Sequence, residues 1–233
     1  KIIWEKPNMK LPFIYNDIPI YAIKNEVIRF NFEGKTLWTY DTTTLGTWID
    51  YDKREQETAV QRVIGELDGR LYLYLNSGKV LVLDVETGHI IKKLVNDKYV
   101  SEHWFNGNFG YFIEIDRQNK KLIQLAQKSY TEVNLATYEV TQIDLKESMP
   151  INLENDHNIV FDETHIYFSD RYNCKLASLN RTTMQIDWVH QLSDPKTCEI
   201  DGNRHGKDLK LYGNRLYVLD NKSTLHIFEK ENV

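Results

Sequence analysis

Much that would announce an activity is missing from this chain of 233 residues. It has two cysteines, three methionines and five prolines. No apolar run approaches the roughly 18 residues of a membrane-spanning helix, and no membrane insertion is expected. No G-x-S-x-G elbow, H-E-x-x-H zinc helix or glycine-rich phosphate loop occurs, which removes the commonest hydrolase and nucleotide-binding signatures. Basic residues are dispersed, with Lys92-Lys93 and Lys120-Lys121 as isolated pairs, and the formal net charge is -5. That balance argues against nucleic acid as a partner and for a basic protein. The first residue is Lys1 rather than Met, so an upstream segment is expected, whether a removed signal peptide, a trimmed tag or a disordered start.

Two scattered cysteines, Cys174 and Cys198, read first as free thiols of a reducing, cytoplasmic protein. A disulfide between them would move the expectation to the periplasm.

What the chain does have is aromatic and alternating. There are 14 Tyr, 9 Phe and 5 Trp, a composition suited to strands. The stretch Arg70 to Leu94 is the clearest case. Leu71, Leu73 and Leu75 alternate with Tyr72 and Tyr74, a turn follows at Asn76-Ser77-Gly78, and a second apolar run spans Val80 to Val85. Asp84-Val85-Glu86-Thr87-Gly88 makes another turn, with a third strand over His89 to Leu94. Period-two apolar runs between Asn, Ser and Gly predict antiparallel strands on tight turns.

The same turn recurs, marked by Gly34, Gly88, Tyr138 and Met184 at separations of 54, 50 and 46 residues. Thr87, Thr137 and Thr183 share one place before the mark, and Asp84, Asn134 and Asn180 another, where an Asx side chain can bond its own turn. Trp38 and Trp188 each lie four residues past a mark, and Trp4 would do so if Val233 were joined to Lys1. These tryptophans are expected to pack one repeat on the next. Counted through the joined ends, five repeats close on themselves. The expectation is an all-β, single-domain (1–233), five-bladed β-propeller of four-stranded blades. The N-terminal strand would complete the last blade, leaving no long unprotected sheet edge.

Val82 to Gly88 (VLDVETG) resembles the repeat of PQQ-like, quinoprotein-type propellers, in which A-x-D-x-x-T-G-x-x-x-W marks each blade. The second repeat departs at Lys92, where the pattern has Trp. The fourth has Ala177 near the start, then Asn180, Thr183 and Trp188, with Met184 for Gly, and the first keeps Gly34 and Trp38 on a turn one residue shorter. The resemblance implies the fold. It does not imply a quinone enzyme: such enzymes have eight blades, a calcium site and usually a vicinal cysteine pair. Here there are five repeats and no adjacent cysteines. No cofactor is expected. Asp194, Cys198 and His205 share a loop, but the usual zinc site has four ligands at tighter spacing, so no metal is expected either.

The links between repeats are long: 41–57, 96–108, 146–157 and 193–208. In a propeller they share a face with the turns between second and third strands. The first link carries Trp48, Asp50, Tyr51, Asp52 and Glu55, the second Glu102, His103 and Trp104, and the last Asp194 and Asp201. Aromatics among carboxylates describe a recognition surface for a basic protein. The expectation is therefore a non-enzymatic binding propeller, monomeric on its own, most concretely an immunity or inhibitor protein covering a basic toxin domain such as a nuclease. The alternatives are an exported assembly or scaffold propeller, similar to PQQ-repeat lipoproteins that help build outer-membrane proteins, and a sugar-binding propeller.

Overall fold

The computed structural model describes residues 12–15, 18–23, 25–50, 52–96, 109–126, 128–150, 159–170, 174–192, 209–219 and 224–230. Among them there is no α-helix; a single 3-10 turn spans Thr42–Leu45 and every other regular element is a strand.

Each repeat is an up-and-down meander, its strands hydrogen-bonded in chain order. The first holds β1 (Pro12–Tyr15), β2 (Ile18–Ile23), β3 (Glu26–Phe30) and β4 (Thr36–Asp41). A separate hairpin, β5 (Thr47–Ile49) and β6 (Glu55–Glu57), follows within the stretch expected to be a plain link. The second sheet is β7 (Val60–Leu67), β8 (Arg70–Leu75), β9 (Val80–Asp84) and β10 (Ile90–Leu94). The third is β11 (Glu114–Asp116), β12 (Lys121–Ala126), β13 (Ser129–Asn134) and β14 (Val140–Asp144). The fourth is β15 (Ile159–Phe161), β16 (His165–Asp170), β17 (Lys175–Asn180) and β18 (Ile186–Gln191). The fifth has three strands among the described residues, β19 (Leu209–Tyr212), β20 (Arg215–Leu219) and β21 (Leu225–Glu229). Its expected fourth strand, from the start of the chain and including Trp4, lies outside the described residues.

The four marks share one backbone state. Gly34, Gly88, Tyr138 and Met184 have φ of 80°, 73°, 61° and 55°. The amides of Gly88, Tyr138 and Met184 each donate to the carbonyl four residues back, on Asp84, Asn134 and Asn180, at 2.7 to 2.9 Å. The side chains of those three residues accept from the amides two and three residues ahead. One turn is thus built three times over, and twice it is tight enough to hold a large side chain in the left-handed region.

The chain divides into two compact units, residues 1–122 with 133–140 and residues 123–132 with 141–233. In the first, Leu71, Leu73, Leu75, Leu81 and Leu83 pack with Ile20, Ala22 and Val27, with Trp38 and Tyr40 beside them. The other face of the same sheet, Tyr72, Tyr74, Val80 and Val82, packs with Phe109, Ile113, Leu122, Val133 and Leu135. A sheet buried on both faces explains why β8 and β9 read as nearly continuous apolar runs. In the second unit, Ile123, Leu125 and Tyr130 pack with Ile159, Ile166, Phe168, Ala177 and Leu179. Leu176 joins Leu209, Leu216 and Val218, with Trp188 and Phe228 against them. Each fully buried aliphatic side chain of this kind contributes roughly 1.5–3 kcal/mol.

Trp38 and Trp188 are packing residues, as their place in the repeat suggests. Trp38 Nε1 donates to the Val85 carbonyl of the next repeat at 3.1 Å. Trp188 meets Phe228 of the fifth sheet edge-on, with centroids 5.4 Å apart.

Candidate functional site

Link 41–57 is an ordered platform. Asp41 caps the 3-10 turn, accepting from the Thr43 amide (2.9 Å) and hydroxyl (2.7 Å). Those two bonds hold its carboxyl below the usual aspartate range. Thr42 is fully buried and its hydroxyl contacts the carbonyls of Asn25 (2.9 Å) and Thr58 (2.7 Å). The end of β6 is tied down twice. Asn25 Nδ2 donates to Glu57 Oε2 at 2.7 Å, and Asn76 Nδ2 to the Glu57 carbonyl at 2.8 Å. Asn25 and Asn76 stand in the second-to-third-strand turns of the first and second sheets, so this link does share a face with those turns.

Four of the expected site residues sit on this hairpin. Trp48 is half-buried opposite Gln56, and Ile49 beside it is 56% exposed. Asp50 closes the turn: Oδ1 accepts from the Arg54 amide at 2.9 Å, and Oδ2 from Arg54 Nε (3.0 Å) and Gln56 Nε2 (2.8 Å). Desolvation raises the Asp50 carboxyl, but these bonds and the guanidinium outweigh it and leave the group more acidic than usual. Asp52, exposed, pairs with Arg54 Nη2, and Glu55 Oε1 accepts from Thr47 Oγ1 at 2.6 Å. Sequence reasoning passed over Arg54, which spends part of its charge on Asp50 and Asp52. The outward negative charge of the hairpin therefore rests mainly on Glu55 and Glu57. Tyr51, Glu102, His103, Trp104, Asp194 and Asp201 lie outside the described residues.

The expectation of free thiols does not hold. Cys174 is disulfide-bonded and fully buried, in the second-to-third-strand turn of the fourth sheet. The chain's other cysteine, Cys198, is outside the described residues.

A second feature, which the sequence did not reveal, lies in the second unit. Outer strands β4, β10 and β18 each carry one bulged residue three places past the mark: Leu37, Ile91 and Asp187. A bulge re-aims the extra side chain. Leu37 and Ile91 are exposed apolar residues. Asp187 instead reaches across the sheet, accepting from Ser178 Oγ (2.5 Å) and from His165 Nε2 (2.6 Å). Desolvation raises its carboxyl, yet these bonds prevail and keep it more acidic than usual. On the far side of His165, Lys230 Nζ reaches Thr164 Oγ1 (2.7 Å), Asp162 Oδ2 (3.3 Å) and His165 Nδ1 (3.3 Å). Asp187, Ser178, His165 and Lys230, with Trp188, Phe228, Asn214 and Glu229, line a groove of about 490 Å³. Ser178 bonds the carboxylate and not the imidazole, so Ser178, His165 and Asp187 are not ordered as a nucleophilic triad. Among the described residues, no three His, Cys, Asp or Glu side chains are grouped as metal ligands.

No protein-family model matches the chain, and no curated protein matches it. Solved structures do. The chain is similar to BamB from Moraxella catarrhalis, at 12% identity and TM-score 0.57, over 94% of this chain and 57% of that one. It is similar to Saccharomyces cerevisiae Sqt1, at 12% identity and TM-score 0.56, over 92% of this chain and 55% of that one. It is also similar to U3-55K, at 9% identity and TM-score 0.57, over 98% of this chain and 63% of that one. These neighbours are BamB-like and WD40-type β-propellers, and the chain shares their all-β propeller type of fold. It spans between 55% and 63% of the length of these structures.

Proposed function

We propose that the chain is a non-enzymatic, protein-binding propeller whose partner is basic, with the link-bearing face as the interface. One observation carries this reading. The β5–β6 hairpin is a short insertion pinned by Asn25 and Asn76 to the rigid sheets beneath it, and it holds Trp48 and exposed Ile49 beside outward carboxylates. A preorganised aromatic and apolar patch with an acidic rim loses little conformational freedom on binding and steers a cationic partner. The most concrete form is an immunity or inhibitor protein covering a basic toxin domain, such as a nuclease, in the cytoplasm.

The test is affinity capture from the native extract at low and moderate salt, repeated with Glu55→Lys/Glu57→Lys. A stoichiometric basic protein, weakened by salt and lost with the double variant, supports the reading. Recovery of the same protein by the double variant at both salts would remove the hairpin from the interface.

A second reading is favoured by the disulfide-bonded Cys174. Disulfides persist in oxidising compartments, so the chain would be an exported scaffold propeller, in keeping with the PQQ-like resemblance of the Val82 to Gly88 turn. Intact mass of the native protein before and after reduction decides it. A gain of two hydrogens on reduction supports export; no change returns the chain to the cytoplasm.

A further inference from the structure

The groove beside Asp187 is built wholly from residues of the second unit, and its charges do not cancel. Glu229 is paired with Arg215 (3.1 Å), and Lys230 is paired with Asp162 (3.3 Å). Among the described residues Asp187 has no such Lys or Arg partner: it is bonded by the Ser178 hydroxyl, by the Asn180 side-chain amide at 3.5 Å and by His165, which is a cation only when protonated. This carboxylate adjoins an aromatic array. Trp188 and His190 stack at 5.9 Å and 9°, and Phe228 meets both edge-on, at 5.4 and 4.9 Å. An uncompensated carboxylate next to aromatic rings, in a groove within the usual small-ligand range of about 300–1,000 Å³, favours a cation, which gains from both the charge and the rings. A neutral polyol would leave the charge of Asp187 unanswered.

We propose that this groove binds an organic cation bearing a guanidinium or alkylammonium group, presented by a free small molecule or by an Arg or Lys side chain of a partner protein. Asp187 supplies the charge, Trp188 and Phe228 the aromatic wall, and the His165–Ser178 pair holds the carboxylate in place. The inference does not depend on the reading of the link-bearing face.

The test is an NMR titration of the ¹⁵N-labelled chain with Nα-acetyl-arginine amide, with the tripeptide acetyl-Gly-Arg-Gly-amide, and with glucose. Saturable shifts confined to the neighbourhood of β16, β18 and β21 are expected with both arginine probes. Asp187→Asn keeps the shape of the hydrogen-bonded group and is expected to weaken binding roughly tenfold. Trp188→Phe is expected to weaken it severalfold, and Glu55→Lys on the hairpin to leave it unchanged. Tighter binding of the amide marks a free ligand, and tighter binding of the tripeptide a protein side chain. No saturation by either arginine probe up to about 20 mM, equal binding by folded Asp187→Asn, or binding of glucose in preference, would overturn the proposal.

Discussion

The indole of Trp38 lies directly over Gly88. A Cβ placed on Gly88 would come within 2.6 Å of the Trp38 ring, and Gly88 also has φ of 73°. The tryptophan of one repeat and the turn glycine of the next are thus a single packing unit. Gly88→Ala should be destabilising on both counts, by about 2–4 kcal/mol, because the obstacle is a held ring and not the loose end of a flexible side chain. Gly213, at φ 58° with nothing within 4 Å, serves as the comparison. Gly213→Ala should cost only about 1 kcal/mol. Urea denaturation of both variants checks this; equal losses would mean that the contact with Trp38 contributes nothing.

Arg29 and Trp38 converge on one acceptor. Both donate to the Val85 carbonyl, and Arg29, only 2% exposed, also pairs with Glu86. Either donor alone keeps the carbonyl satisfied; removing both leaves it without these partners. Arg29→Met and Trp38→Phe should therefore lose more stability together than their separate losses add up to, by about 0.5–3 kcal/mol. A double-mutant cycle in urea measures this, and strict additivity would show the two bonds to be independent.

How far the sequence could be read follows from where each contact is decided. Asp84, Asn134 and Asn180 bond their own turns, so the chemistry that makes the turn is carried within a few residues, and the repeat marks were legible. Trp38 and Trp188 were legible because they recur in register. The β5–β6 hairpin was not: its strands are three residues each, without alternation, and are held by Asn25 and Asn76 from distant turns. Nor was Asp187 legible. In sequence it is one residue of an outer strand, and only the register shift opposite Ser178 and Leu179 turns it toward His165. Arg54 could have been weighed, since it follows Asp50 and Asp52, the acids with which it pairs, by four and two residues.

Lys53, in the turn of that hairpin, has φ of 63° and is exposed. A side chain gains nothing from the left-handed region, where glycine is at ease. Lys53→Gly should thus raise stability by roughly 0.5–1 kcal/mol, the relief of strain exceeding the added freedom of the unfolded chain. Because the change also removes a positive charge beside Asp52, a basic partner should be bound no more weakly. A drop in melting temperature would show that Lys53 is held by more than its backbone.

Acid should loosen the fourth sheet through Asp162. Desolvation raises this carboxyl, but the amides of Thr164 and His165, the Thr164 hydroxyl and the Lys230 ammonium together bring it down to about 2, from 3.8. The folded-state value is depressed, so the stabilisation is fully present above the unfolded value near 4 and is lost as pH falls from about 4 to about 2. With solvent screening of a partly exposed group, the contribution is about 1 kcal/mol. Asp162→Asn should therefore be less stable than the parent at pH 6, and the gap should close as pH falls toward 2. Urea unfolding at pH 6, 4 and 2.5 measures it. A gap that stayed constant across that range would mean that Asp162 acts through the shape of its hydrogen bonds alone and not through its charge.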